Sequence, residues 1–201
     1  SGLPSEGVLD LIENYTVNTY GKPVDLVFSE HGGYISQNQE AALDYVATNY
    51  FAPPHSGFAY EMKRRSVSEF LAVSSEIANT MTFMNNPHVV RKAVPFILLE
   101  SFSWDPRYYS TLLVATNFNN KNIWVESTYV NFYKFFAGVT GRRVKTLWDD
   151  PDIQCQAYAD RATLYVLLNN QAAVPQPLDL QVPTNGLQAI TLRRFGRNPD
   201  F

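Results

Sequence analysis

Two glutamates close short apolar segments in this chain. Glu30 follows Val24-Asp25-Leu26-Val27-Phe28-Ser29 and precedes His31-Gly32-Gly33, where glycines free the backbone and leave room beside the carboxylate. In parallel α/β barrels the C-terminal edge of the strands is where chemistry is done. A carboxylate there is placed to attack an anomeric carbon, opposite a second carboxylic acid about 5–5.5 Å away, as in retaining hydrolysis of a glycosidic bond. The plain alternative is an ordinary exposed or helix-capping glutamate. Glu100 closes Pro95-Phe96-Ile97-Leu98-Leu99. It reads as a partner for sugar hydroxyls, as a group orienting a neighbour, as the acid itself, or as a structural carboxylate paired in a barrel mouth. Glu61 opens a long helix, and the helix dipole explains it without function.

Aromatic residues crowd the stretch after Glu100: Trp104, Tyr108, Tyr109, Trp124 and Tyr129, with Asn117, Asn119, Asn120 and Asn122 among them. Flat rings suit the apolar faces of pyranoses, and a rim of amides suits their hydroxyls. Packing is the competing explanation for about half of these rings, since Trp and Tyr commonly bury the ring and satisfy one polar end. Other chemistries lack their residues. His31, His55 and His88 are far apart and lack metal-ligand spacing. No Gly-x-Ser-x-Gly elbow, P-loop or Gly-x-Gly-x-x-Gly occurs, so neither a serine hydrolase of that type nor a nucleotide site has support, and no cofactor is implied. Arg64-Arg65 and Arg142-Arg143 read as solvated surface, or as contacts for sulfate groups on a polysaccharide. The single Cys155 excludes an intrachain disulfide and reads as core.

The elements that must carry these residues fall into two textures. Helices are expected over Glu6–Tyr20, stopped by Gly21-Lys22-Pro23; over Gln39–Tyr50; over Tyr60–Met84; and over Ser127–Phe136. In the third, Met62, Ser66, Phe70, Val73, Ile77, Met81 and Met84 form an apolar stripe that should face the core. Val24–Phe28 and Pro95–Leu99 are expected as buried strands, with a hairpin over Tyr109–Val114 and Ile123–Glu126. Strands alternating with helices give the rhythm of a parallel α/β fold. From Val139 onward the pattern alternates with period two: Ile153, Cys155 and Ala157; then Leu164, Val166 and Leu168; then Leu178, Leu180 and Val182; then Ile190 and Leu192. That pattern predicts an antiparallel sheet or half a β-sandwich, with a boundary near Gly138–Gly141.

Composition narrows the partners. Sixteen basic against nineteen acidic residues give a net charge of -3, which offers no electrostatic case for nucleic acid. No apolar run approaches the ~20 residues of a membrane span. Aromatic residues at 14% and charged residues at 17% exclude a disordered chain. The sequence starts without Met and reads straight into a helix, as a processed form or a piece of something longer would.

Val-Asp-Leu-Val-Phe-Ser-Glu-His-Gly-Gly over Val24–Gly33 resembles the nucleophile strand of retaining (β/α)8-barrel glycoside hydrolases. The long helix at Tyr60–Met84, Pro95–Leu99 with Trp104 beyond it, and Asn131–Val139 leading into strands resemble, more specifically, glycoside hydrolase family 86 of β-agarases and β-porphyranases. The resemblance implies the C-terminal portion of a (β/α)8 TIM barrel over residues 1–138, followed by an incomplete antiparallel β-sandwich over 139–201. It implies a retaining endo-hydrolase of β-galactosidic bonds in agarose or porphyran, secreted, periplasmic or at the cell surface. Glu30 would be the nucleophile, and His31, Tyr34, Glu100 and Trp104 the substrate contacts. The acid/base glutamate would lie outside this chain, because a barrel needs about 250 residues, and the rest of the polypeptide would complete it. A non-catalytic carbohydrate-binding or structural protein, and a barrel glycosidase acting on another polysaccharide, are the competing readings.

Overall fold

A computed structural model describes residues 3–32, 37–96, 111–116, 122–182, 185–186 and 188–196. The chain runs α1 (Leu3–Tyr20), β1 (Leu26–His31), α2 (Gln37–Tyr50), α3 (Phe58–Asn85), β2 (Val90–Pro95), β3 (Leu113–Ala115), β4 (Trp124–Glu126), α4 (Val130–Phe136), β5 (Arg142–Val144), β6 (Ile153–Ala159) and β7 (Leu164–Asn170). Strands β1 and β2 pair in parallel, so the chain must cross over between them, and α2 and α3 make that crossover. The expected β-α-β unit is therefore present.

Its second strand lies earlier than the sequence pattern suggested. It begins at Val90 rather than Pro95, and Ile97–Glu100 fall outside the described residues. Arg91 and Lys92 hide the strand from a hydropathy reading. Arg91 is accommodated at the exposed edge, where its Nε donates to Asp25 Oδ1 at 2.8 Å. Leu26 N donates to Val89 O at 2.7 Å, which locks the start of the pair.

Helix α3 is the spine, and of its apolar stripe only Met81 is fully buried. Arg65, Ser68, Glu69, Ala72 and Glu76 are buried, while Phe70 is 46% exposed. Leu43 of α2 packs on Ala72, with Val67 and Leu71 alongside. The polar residues are buried because they answer polar groups elsewhere. Arg65 Nε donates to Glu69 Oε1 at 2.8 Å, and Arg65 Nη2 to Thr111 Oγ1 at 2.6 Å. The Thr128 hydroxyl donates to Glu69 Oε2, and that of Ser127 to the Thr111 carbonyl. These bonds tie the β3–β4 hairpin to the helix.

The antiparallel sheet runs in the order β5-β6-β7. Its Gln154 face turns to α3: Gln154 Nε2 donates to the Ala78 carbonyl at 3.1 Å, and the Tyr158 hydroxyl to that of Met84. Ile153, Cys155 and Ala157 are buried on the opposite face. Strand β5 was not expected. The strands expected at Leu178–Val182 and Ile190–Leu192 are not formed among the described residues. Leu178, Leu180, Ile190 and Leu192 are exposed there, and their backbone joins no ladder of this sheet.

Candidate functional site

Strand β1 is interrupted where Glu30 sits. Val27 pairs with Lys92 and Phe28 with Ala93, but the next pair is His31 with Pro95, so the register shifts between Phe28 and His31. Three steps along β1 match two along β2, which is a β-bulge at Ser29-Glu30. In an unbroken strand Phe28 and His31 would point to opposite faces. The bulge returns His31 to the side of Phe28. Phe28 stacks on Phe83 of α3 with centroids 4.5 Å apart, and the His31 ring meets the same Phe83 edge-on at 5.0 Å. Val27, Ser29 and Glu30 are all exposed, away from the helix. Glu30 thus stands on the open face of the parallel pair, at the C-terminal end of its strand.

Below the bulge lies a buried carboxylate. Glu76 is 0% exposed, and His31 Nδ1 lies 2.7 Å from its Oε2, off the line of a straight hydrogen bond. Gly32 follows with φ +69°, a left-handed conformation that favours glycine. A Cβ there would fall 1.0 Å from Glu76 Oε1, so the main chain passes directly over the carboxylate. The fully buried Tyr129 phenol lies close enough to feel the Glu76 charge. Burial, reinforced by the Glu76 charge, pushes the Tyr129 phenol far above its ordinary range. The same two causes push Tyr133 up to about 12. Both phenols therefore stay protonated beside Glu76.

The structure separates two neighbours that the sequence grouped. Glu30 is on the open face, and the His31 ring is on the helix face. Tyr34, Glu100 and Trp104 lie outside the described residues. Tyr129, one of the rings considered for sugar stacking, is fully buried and packs on Phe132 at 5.8 Å. A cleft of about 410 Å³ on the helix side is lined by His31, Phe83, Pro95, Phe132, Tyr133 and Tyr158 among others, and not by Glu30. His88 pairs with Glu13 at 3.0 Å, and His55 contacts the Phe51 carbonyl at 2.9 Å, so each has a local structural role. Sequence reading missed Glu76. Its signal was the spacing of Arg65, Glu69 and Glu76 along one face of α3, about a quarter turn round from the apolar stripe.

A parallel β-α-β unit with a carboxylate ending its strand, followed by an antiparallel sheet, defines the class to compare. Residues 152–200 match the family model for porphyranase beta-sandwich domain 1. Among curated relatives, Beta-porphyranase A of Phocaeicola plebeius is 28% identical over 90% of this chain and 23% of its own length. A funoran endo-beta-hydrolase of Wenyingzhuangia aestuarii is 29% identical over 81% of this chain and 23% of its own. Beta-agarase AgaO of Microbulbifer thermotolerans is 36% identical over 47% of this chain and 8% of its own. Among solved structures, a β-porphyranase of glycoside hydrolase family 86 from the human gut bacterium Bacteroides plebeius superposes with a TM-score of 0.59 at 26% identity, over 83% of this chain and 27% of that one. BuGH86 in complex with neoagarooctaose superposes with a TM-score of 0.57 at 26% identity, over 83% and 24%. The resemblance to glycoside hydrolase family 86 is borne out. The chain spans between 8% and 30% of the length of the curated relatives it matches. No helix among the described residues is long and apolar enough to cross a membrane.

Proposed function

We propose that this chain is part of a retaining endo-glycoside hydrolase that cleaves β-galactosidic bonds in red-algal galactans, agarose or porphyran, with Glu30 as nucleophile. Residues 1–138 supply the C-terminal portion of its (β/α)8 barrel, and residues 139–201 begin its β-sandwich. The parallel pairing of β1 and β2 supports the first part. The start of β5 at Arg142 and the family match over 152–200 support the second. The observation that carries the reading is the bulge, which leaves Glu30 exposed at the end of β1 on the face away from α3. Relatives named as agarase, porphyranase and funoran hydrolase support the substrate class. A polymeric substrate also favours work outside the cytoplasm.

A Glu30 carboxylate oxygen bonds to the anomeric carbon as the glycosidic C–O bond breaks. A carboxylic acid elsewhere in the complete enzyme gives its proton to the leaving oxygen. It then takes a proton from the water that displaces Glu30 and restores the free carboxylate. Tyr34, Glu100 and Trp104 are the proposed sugar contacts, while His31 acts from beneath the strand. The test is Glu30→Gln in the complete enzyme, assayed on agarose and porphyran. Turnover should fall on the order of 10⁴-fold, the scale of losing a covalent nucleophile, with the melting temperature unchanged. A variant retaining a tenth of the rate would sink the assignment.

A further inference from the structure

Burying a carboxylate is costly unless it is paired. Glu76 sits fully buried in the middle of α3, where an apolar side chain would fill the space more cheaply. Two other segments among the described residues meet it there. From β1 come the His31 ring at 2.7 Å and the Gly32 main chain, which no side chain could replace. From the turn before α4 comes the fully buried Tyr129, whose phenol is held protonated by burial and the Glu76 charge. The two residues that follow Glu30 are therefore both seated on one carboxylate. Glu30 itself lies in the bulge, out of register with β2, so its direction depends on how the next residues are held.

We infer that Glu76 is a positioning residue: through His31 and Gly32 it fixes the end of β1, and so aims the Glu30 carboxylate. The inference rests on the reading of Glu30 as nucleophile. Glu76 touches neither substrate nor reacting atoms. A misplacement of about 1 Å at a reacting group costs on the order of 10²-fold in rate, which sets the size of the effect expected from loosening the seat.

The experiment uses the complete enzyme and whichever of agarose and porphyran it hydrolyses faster. Glu76→Gln keeps the shape and removes the charge. Its kcat should fall about 30- to 100-fold, with KM and melting temperature near wild type. His31→Leu fills the same space without a donor and should fall to the same level. His31→Asn, which places an N–H close to where Nδ1 lies, should recover most of the rate. The double variant Glu76→Gln/His31→Leu should be no slower than either single one, because the pair acts as a unit. If Glu76→Gln does not fold, the contrast between His31→Leu and His31→Asn decides. Wild-type kcat in folded Glu76→Gln, or equal rates for His31→Leu and His31→Asn, overturns the inference while leaving an inactive Glu30→Gln intact. An active Glu30→Gln overturns the nucleophile reading and takes the inference with it.

Discussion

Arg65→Met should cost far more than loss of a surface arginine. The Arg65 and Glu69 side chains are 6% and 7% exposed and meet at 2.8 Å. At that distance, with an effective dielectric near 20, the attraction is about 6 kcal/mol. Desolvation of both ions offsets much of it, so the pair contributes little compared with an apolar pair of the same shape. Removing one partner is different, because Glu69 stays buried without its cation, a situation that typically costs about 3–5 kcal/mol. The Thr128 hydroxyl still donates to Glu69, which favours the low end, about 3 kcal/mol. Thr111 loses the Arg65 bond but keeps its own bond to the Leu113 carbonyl at 3.0 Å. Native-state hydrogen exchange over α3 peptides of the complete enzyme would read the loss. Arg65→Met/Glu69→Met, which removes both charges, should be more stable than Arg65→Met by at least about 1.5 kcal/mol. A loss below about 1 kcal/mol for Arg65→Met, the size of an exposed pair, would refute the reasoning. So would a double variant that loses the sum of the single losses.

Asp160 closes the β6–β7 turn. Its Oδ1 accepts from the amides of Ala162 and Thr163, and Oδ2 from the Thr140 hydroxyl. The two amide bonds hold its carboxyl below the usual range, so the protection they give is present at neutral pH and is lost as pH falls through that lowered value. Amide exchange at Ala162 and Thr163 should accelerate in acid beyond the intrinsic rate, and Asp160→Ala should abolish that dependence; unchanged protection factors in Asp160→Ala would count against it. Burial pushes the Cys155 thiol up, so alkylation of the native protein should be at least about 10-fold slower than of the denatured protein. Equal rates would place Cys155 outside the core.

The helices at Gln39–Tyr50 and Tyr60–Met84 were visible because their periodicity and stop signals agree, and the observed ends differ by only a turn or less. The side of α3 that is buried was not visible. Hydropathy scores Arg65, Glu69 and Glu76 as surface, yet Thr111 meets Arg65, Thr128 meets Glu69 and His31 meets Glu76, all from outside any local window. Strand β2 was hidden for the same reason, since Arg91 and Lys92 interrupt an otherwise apolar run. Glu30 was found through its place after Val24–Phe28 and before Gly32-Gly33. The bulge that separates it from His31 depends on the register with β2, which a single segment cannot express. Leu178–Val182 shows the converse: alternation is only a capacity to pair, and a strand also needs a neighbour.

Trapping the glycosyl-enzyme tests whether Glu30 is the nucleophile. The complete enzyme would be incubated with an activated 2-deoxy-2-fluoro-β-galactosyl inhibitor, which forms the glycosyl-enzyme faster than water can release it. Peptide mass spectrometry would then locate the sugar. One covalent adduct is expected, on the peptide that contains Ser29-Glu30-His31, and none in Glu30→Gln. An adduct on any other carboxylate, or no adduct together with inversion at the anomeric carbon of the first-formed product, would contradict the nucleophile assignment.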